Sequence, residues 1–168
     1  MHQPNSFIPA VIDLEASSFG KGSYPIEVGV ALADGSTHCY LIKPHHDWIQ
    51  WSEASEKLHG ISQKTLQDRG RDVKDVADEL NQLLEGSTVY SDGWGFDNTW
   101  IALLFEVAQH PQQFKVAQLQ TLFNEQQYNN WHETHQAVIK EFNITRHRAS
   151  SDAFLIQQTF VRSNGLPA

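Results

Sequence analysis

Three short apolar runs, residues 7–14, 26–33 and 37–42, open the chain, each of strand length and with little helical periodicity. Asp34 and Gly35, between the second and third, form a strong tight-turn signal, so the three runs predict an antiparallel meander. The pattern then changes. Residues 44–51 read as a loop, and two short helical segments follow at 52–58 and 62–67. From Val73 the apolar positions recur at helical spacing. Val73, Val76, Ala77, Leu80 and Leu84 make one face of a helix over 73–84, with Asp72 as its N-cap. Further along, the pattern predicts a fourth strand over 87–91, a helix over 97–109 and a fifth strand over 114–119. Closing helices follow over 131–142 and 151–161. Strands first, then helices with one alternating stretch, predict an α/β fold: a mixed five-stranded sheet flanked by helices. No repeat, linker or low-complexity stretch divides the chain, so one domain over residues 1–168 is expected.

Two residues break the first apolar run. Asp13 and Glu15 sit in Ile8-Pro9-Ala10-Val11-Ile12-Asp13-Leu14-Glu15, and residues two apart on a strand share a face. Adjacent carboxylates on an otherwise apolar strand repel each other and lose hydration, which makes sense if a hard divalent cation sits between them. Asp97, in Gly95-Phe96-Asp97-Asn98, and the pair His147 and Asp152, in His147-Arg148-Ala149-Ser150-Ser151-Asp152, complete a set in three separated clusters.

The order of these clusters resembles the DEDD exonuclease superfamily of the ribonuclease H-like fold, in its DnaQ-like branch with a catalytic histidine. That family carries Asp-x-Glu on its first strand, an Asp at a helix start after the fourth strand, and His-x-x-x-x-Asp near its end. Ile26-Glu27-Val28-Gly29-Val30 and Leu58-His59-Gly60-Ile61-Ser62 match two further stretches, so the resemblance spans nearly the whole chain. It implies a metal-dependent 3′→5′ exonuclease acting on single-stranded DNA or RNA 3′ ends and releasing nucleoside 5′-monophosphates. Two divalent cations are implied, Mg²⁺ with Mn²⁺ able to substitute. Asp13 would bridge both, Glu15 and Asp152 would hold the ion that activates water, and Asp97 would support the second. His147 would be the general base, a task suited to a residue type whose ordinary pKa lies near 6.5.

The chain departs from the family pattern in two places. The usual His-Asn-x-x-Phe-Asp reads Asp92-Gly93-Trp94-Gly95-Phe96-Asp97, which leaves Asp92 as a competitor to Asp97. The usual Thr after the strand Glu is Ala16. In the family this turn presents backbone amides and a wedge to the terminal nucleotide, which here points to Ala16, Ser17 and Phe19 as substrate-binding residues, Phe19 stacking on a base. Arg148, beside His147, is placed to meet a phosphate or else to be solvated.

Charge narrows the substrate. The net charge of -8 is the reverse of the usual nucleic-acid footprint. Four acids belong to the expected site, and two bound cations would bring the balance to roughly -4. That favours a short engaged single strand over a long duplex. The lone Cys39 excludes an internal disulfide and a multi-cysteine zinc site. No run is long enough for a membrane span, and Met1-His2-Gln3-Pro4-Asn5-Ser6 lacks signal-peptide features, so a cytoplasmic protein is expected, with a homodimer left open.

Other features read as structural. Glu27, among Ile26, Val28 and Val30, is expected in a hydrogen bond or ion pair, and Gly60 as a helix C-cap explains His59-Gly60. His132-Glu133-Thr134-His135 has the wrong spacing for a zinc motif, and His45-His46 is a loop pair without a partner. Two further functions compete with exonuclease activity: a non-catalytic nucleic-acid-binding accessory module, and a hydrolase of very short oligonucleotides or small phosphodiesters.

Overall fold

The computed structural model describes residues 7–164; the N-terminal hexapeptide Met1–Ser6 lies outside them. Strand β1 (Val11–Ala16) occupies the middle of a five-stranded sheet. β2 (Pro25–Ala31) pairs antiparallel with it, and β3 (Thr37–Leu41) pairs antiparallel with β2. On the other side β4 (Thr88–Ser91) runs parallel to β1, and β5 (Lys115–Gln118) parallel to β4. The order is β3-β2-β1-β4-β5. Val11 of β1 lies beside Tyr90 of β4, so β4 ends beside the first half of β1.

The helices are α1 (Glu53–His59), α2 (Gln63–Arg69), α3 (Val73–Leu84), α4 (Trp94–Ala108), α5 (Glu125–Phe142) and α6 (Ala149–Ser163). Local chemistry sets their ends. Ser52 and Ser62 cap α1 and α2, each hydroxyl accepting a backbone N–H from the first turn, and Asp72 does the same for α3. Gly60 closes α1 in the left-handed region at φ 70°. No helix among the described residues is long and apolar enough to cross a membrane.

Alternation along β1 divides the core. Ile12, Leu14 and Ala16, with Val28 and Val30 of β2, pack against α3 and α4 through Val76, Leu80, Ile101 and Leu104. Val11 and Ala31 face the other way, onto Ala153, Ile156 and Phe160 of α6. Asp13 and Glu15 share Val11's face, beyond the apolar end of that contact. Gln157, buried in α6, fixes this packing: its side-chain amide donates to the carbonyls of Pro9 (2.8 Å), Leu32 (3.0 Å) and Ala31 (3.3 Å).

Four elements start two residues or more from the sequence expectation. The first strand begins at Val11, past Pro9, which has no N–H for a ladder. Helix α4 starts at Trp94, three residues before Asp97, because the Gly93 carbonyl accepts the N–H groups of Phe96 (3.0 Å) and Asp97 (3.1 Å). Helix α5 starts at Glu125, well before 131, where Asn124 and Gln127 form a reciprocal capping box. Helix α6 starts at Ala149, where a carboxylate from β2 caps it.

Candidate active site

Three segments meet at the C-terminal end of β1. Asp13 and Glu15 arrive on the strand itself, Asp97 in the first turn of α4 directly after β4, and Asp152 in the first turn of α6. The parallel β1–β4 pairing brings the first two together, and the packing of α6 on β1 and β2 brings the third. Asp97 is buried and accepts a hydrogen bond from the Ser91 hydroxyl at the end of β4. Asp92 is the more exposed of the two competitors.

Electrostatics mark this meeting point. Burial first, then the charges of Asp97, Asp152 and Glu15, hold the Asp13 carboxyl well above the usual carboxylate range. Glu15 is pushed up to about 8, by loss of hydration first and then by Asp152, Glu27 and Asp97. Asp97 is raised to about 7, chiefly by burial and against the opposing Ser91 hydrogen bond. Asp92 is raised as well, by loss of hydration ahead of the Asp152 charge. The neighbouring acids add to this shift, and Arg146 on Asp152 and Arg148 near Glu15 do not cancel it. Divalent cations would supply further positive charge, and hard oxygen donors are the ligands such ions take. The donor set fits.

The histidine joins from the loop before α6. Ligating atoms of Glu15, His147 and Asp152 all lie within 4.8 Å of one another. His147 has φ 62°, in the left-handed region that a non-glycine residue adopts at some cost. Its backbone N–H donates to Oδ2 of Asp152 at 2.8 Å, and Nε of Arg146 donates to Oδ1 at 2.8 Å. Asp152 thus orders the loop that carries the histidine.

Next to the carboxylates is a cavity of about 170 Å³, lined by Asp13 and Glu15 at one end and by Phe19, Phe96, Trp100 and His59 elsewhere. Phe19 lies edge-on to Phe96, centroids 6.3 Å apart, and Phe96 tilts against Trp100 at 5.7 Å. Phe19 is 68% exposed and Phe96 57%, whereas Trp100 is buried with its indole N–H on the Ser23 hydroxyl. Two free aromatic faces on a buried one make a surface suited to a nucleobase. His59, read from sequence as part of a helix C-cap, also reaches this wall. Its Nδ1 accepts the Ile61 N–H at 3.0 Å, which leaves the ring proton on Nε2, buried and without a partner among the described residues. Sequence reasoning missed His59 and Phe96 as wall residues because nothing in their spacing tells which end of a helix faces the strand end.

The other expected substrate residues are placed differently from one another. Ala16 lines the cavity. Ser17 is fully buried; its hydroxyl accepts the Tyr24 N–H (3.2 Å), its own N–H goes to the Tyr24 carbonyl (2.9 Å), and its carbonyl takes the Ser52 N–H (3.0 Å). Arg148 donates to Glu27, with Nη2 2.6 Å from Oε2, so the expected ion pair of Glu27 is present and Arg148 is its partner. Neither Ser17 nor Arg148 lines the cavity. His45 and His46, expected to lack a partner, have Asp47 within reach, its carboxylate 3.3 Å from Nε2 of His46.

The exonuclease family model named for RNase T matches residues 10–160. Among solved structures, the chain is similar to Escherichia coli Exonuclease I in complex with a dA16 oligonucleotide, with TM-score 0.68, 12% identity, and coverage of 91% of this chain and 40% of that one. It is similar to Schizosaccharomyces pombe Pop2p in its Mg²⁺- and Mn²⁺-bound form, with TM-score 0.60, 17% identity, and coverage of 94% and 83%. Exonuclease I from Methylocaldum szegediense matches with TM-score 0.64, 11% identity, and coverage of 91% and 40%. The chain therefore spans about two fifths of the Exonuclease I proteins it resembles, and at these identities the likeness is one of fold. No curated protein sequence matches it. With the mixed sheet, the three acidic clusters in order and a family match over residues 10–160, the chain belongs to the exonuclease family of the DEDD, ribonuclease H-like superfamily.

Proposed function

We propose that this protein is a divalent-metal-dependent 3′→5′ exonuclease that removes nucleoside 5′-monophosphates from single-stranded ends. The observation that carries the reading is the convergence of Asp13, Glu15 and Asp97 as carboxyls held above their ordinary values, with Asp152 and His147 against Glu15. A closed core has no use for such a cluster, while a metal-dependent phosphodiesterase depends on one. The Mg²⁺ and Mn²⁺ bound to Pop2p and the oligonucleotide bound to Exonuclease I support the same cofactor and substrate class here.

Asp13, Glu15 and Asp152 would hold one cation, and Asp13 with Asp97 the second. Bound there, the ions supply charge neutralisation and a water more readily deprotonated than bulk water. The chain's own residues supply the rest. A ring nitrogen of His147 accepts the proton of the attacking water, whose oxygen bonds to phosphorus as the bond to the preceding nucleotide's 3′ oxygen breaks. Asp152 holds the His147 loop in place through its backbone N–H. Phe19, Phe96 and Trp100 receive the terminal base, and the Nε2–H of His59 offers it or its sugar a hydrogen bond. Ser17 stiffens the turn that carries Ala16 and Phe19.

The test is digestion of a single-stranded oligonucleotide whose 3′ or 5′ hydroxyl is blocked with phosphate, in Mg²⁺, Mn²⁺ or chelator. The expected result is ladder formation and mononucleotide release with metal, strong slowing by the 3′ block and little effect of the 5′ block. His147→Ala should lower kcat by about 10² to 10⁴, the usual worth of a positioned base. Cleavage of a circular single strand, or full turnover in chelator, would overturn the reading.

A further inference from the structure

Glu27 is a fully buried carboxylate directly across the strand pair from Glu15, on the same face of the sheet. Two carboxylates so placed repel each other, yet Glu27 is saturated with donors. Arg148 Nε lies 3.1 and 3.2 Å from its two oxygens, Arg148 Nη2 lies 2.6 Å from Oε2, and the Ala149 N–H donates to Oε1 at 2.8 Å. With its lone pairs so engaged, Glu27 is not available as a further metal ligand.

The last of these bonds is the informative one. Ala149 begins α6, and Arg148 at the N-cap position makes no side-chain cap of its own. The helix's first free N–H is therefore satisfied by a carboxylate from β2. Gly29, the next residue on that face of β2, makes room for the arrangement, because a Cβ there would lie 2.1 Å from the Ala149 carbonyl carbon. The start of α6 is thus pinned to the sheet on its inner side by Glu27. On its outer side Arg146 and the His147 N–H hold Asp152. Between the two pins lie His147 and Asp152.

We infer that Glu27 is a positioning residue, acting through Arg148 and the Ala149 amide to hold His147 and Asp152 against Asp13 and Glu15, and that Arg148 serves this clamp and makes no contact with substrate. The inference rests on the nuclease reading above. Its mechanism is local: without the carboxylate, the N-terminus of α6 loses its cap and Arg148 is freed into the site.

Glu27→Gln, Arg148→Gln and the double variant test it, with Mn²⁺ affinity read by calorimetry without substrate and kcat and KM read on a single-stranded oligonucleotide. Glu27→Gln keeps an acceptor for Ala149 but drops the charge. The expected result is a loss of about tenfold in Mn²⁺ affinity, the low end of what loosening the support of a metal ligand costs. The kcat should fall while KM stays within about threefold. The double variant should be no worse than the worse single one, since both break the same clamp. If Glu27→Gln does not fold, Arg148→Lys, which keeps the charge but loses the fork, should show the same losses in kcat and Mn²⁺ affinity. Wild-type values in these variants, or a rise in KM alone on changing Arg148, would overturn the inference. Wild-type protein that neither binds Mn²⁺ nor cleaves would instead refute the nuclease reading.

Discussion

Asp13, Glu15 and Asp97 are residues whose carboxyls are shifted upward by burial first and by neighbouring acids second, and the shift has a measurable sign. Glu15 in the folded chain holds its proton up to about 8, well above the value of an unfolded glutamate. Its contribution to stability is therefore full below the ordinary carboxylate range and is lost as pH rises through the folded value. Asp13 and Asp97 act in the same direction. Metal-free protein should melt lower at about pH 8.5 than at about pH 6, by roughly 5 °C after discounting for the partial exposure of Glu15. Glu15→Gln should flatten that slope, and saturating Mn²⁺ should offset it by replacing protons as counter-charge. Thermal melts across pH check this, and a slope in the metal-free wild type no steeper than in Glu15→Gln would contradict it. These acids were legible in the sequence because a carboxylate pair inside an apolar run is costly to bury unless a cation accompanies it. Asp97 is preferred to Asp92 there, with Asp92 left as a competitor; burial and the Ser91 bond distinguish them once β4 and α4 are in place.

At the scale of elements, the site depends on how closely α6 approaches β2. The register that sets Asp13 opposite Gly29 and Glu15 opposite Glu27 gives this face a carboxylate pair and a gap in adjacent positions. Gly29→Ala should close that gap. Its added carbon meets backbone that cannot rotate away, so the helix must shift. The expected cost is at least the roughly 1–3 kcal/mol of ordinary overpacking, with weaker Mn²⁺ binding because Asp152 moves with α6. Chemical denaturation and calorimetry together check it, and an unchanged stability would mean that α6 sits farther from the sheet. Elements with a strong one-sided apolar pattern were readable in advance, α3 above all. Helix α5 was readable only from residue 131 onward, because only Gln127 and Val138 of it are buried and its start is set by the Asn124–Gln127 capping box. The start of α6 was hidden for a related reason: its cap comes from β2, more than a hundred residues earlier.

Across the whole molecule, the meander places β1 in the centre, parallel pairing adds β4 beside it, and α6 covers the remaining face. This topology gathers acids from three distant segments at one strand end. The order of the motifs made the topology legible in outline, while the aromatic wall beside it depended on helix placement that no local pattern carries. Four of the acids behind the net charge of -8 belong to this geometry, and they become an asset to a protein proposed to bind a polyanion only with cations between them. The most direct measurement is therefore anomalous diffraction from crystals soaked with Mn²⁺ and a nucleoside 5′-monophosphate. The expected result is two peaks roughly 4 Å apart, with Asp13 between them, Glu15 and Asp152 on one, Asp97 near the other, and the base against Phe19. Absence of metal among these carboxylates, or metal confined to the surface group His45, His46 and Asp47, would contradict it.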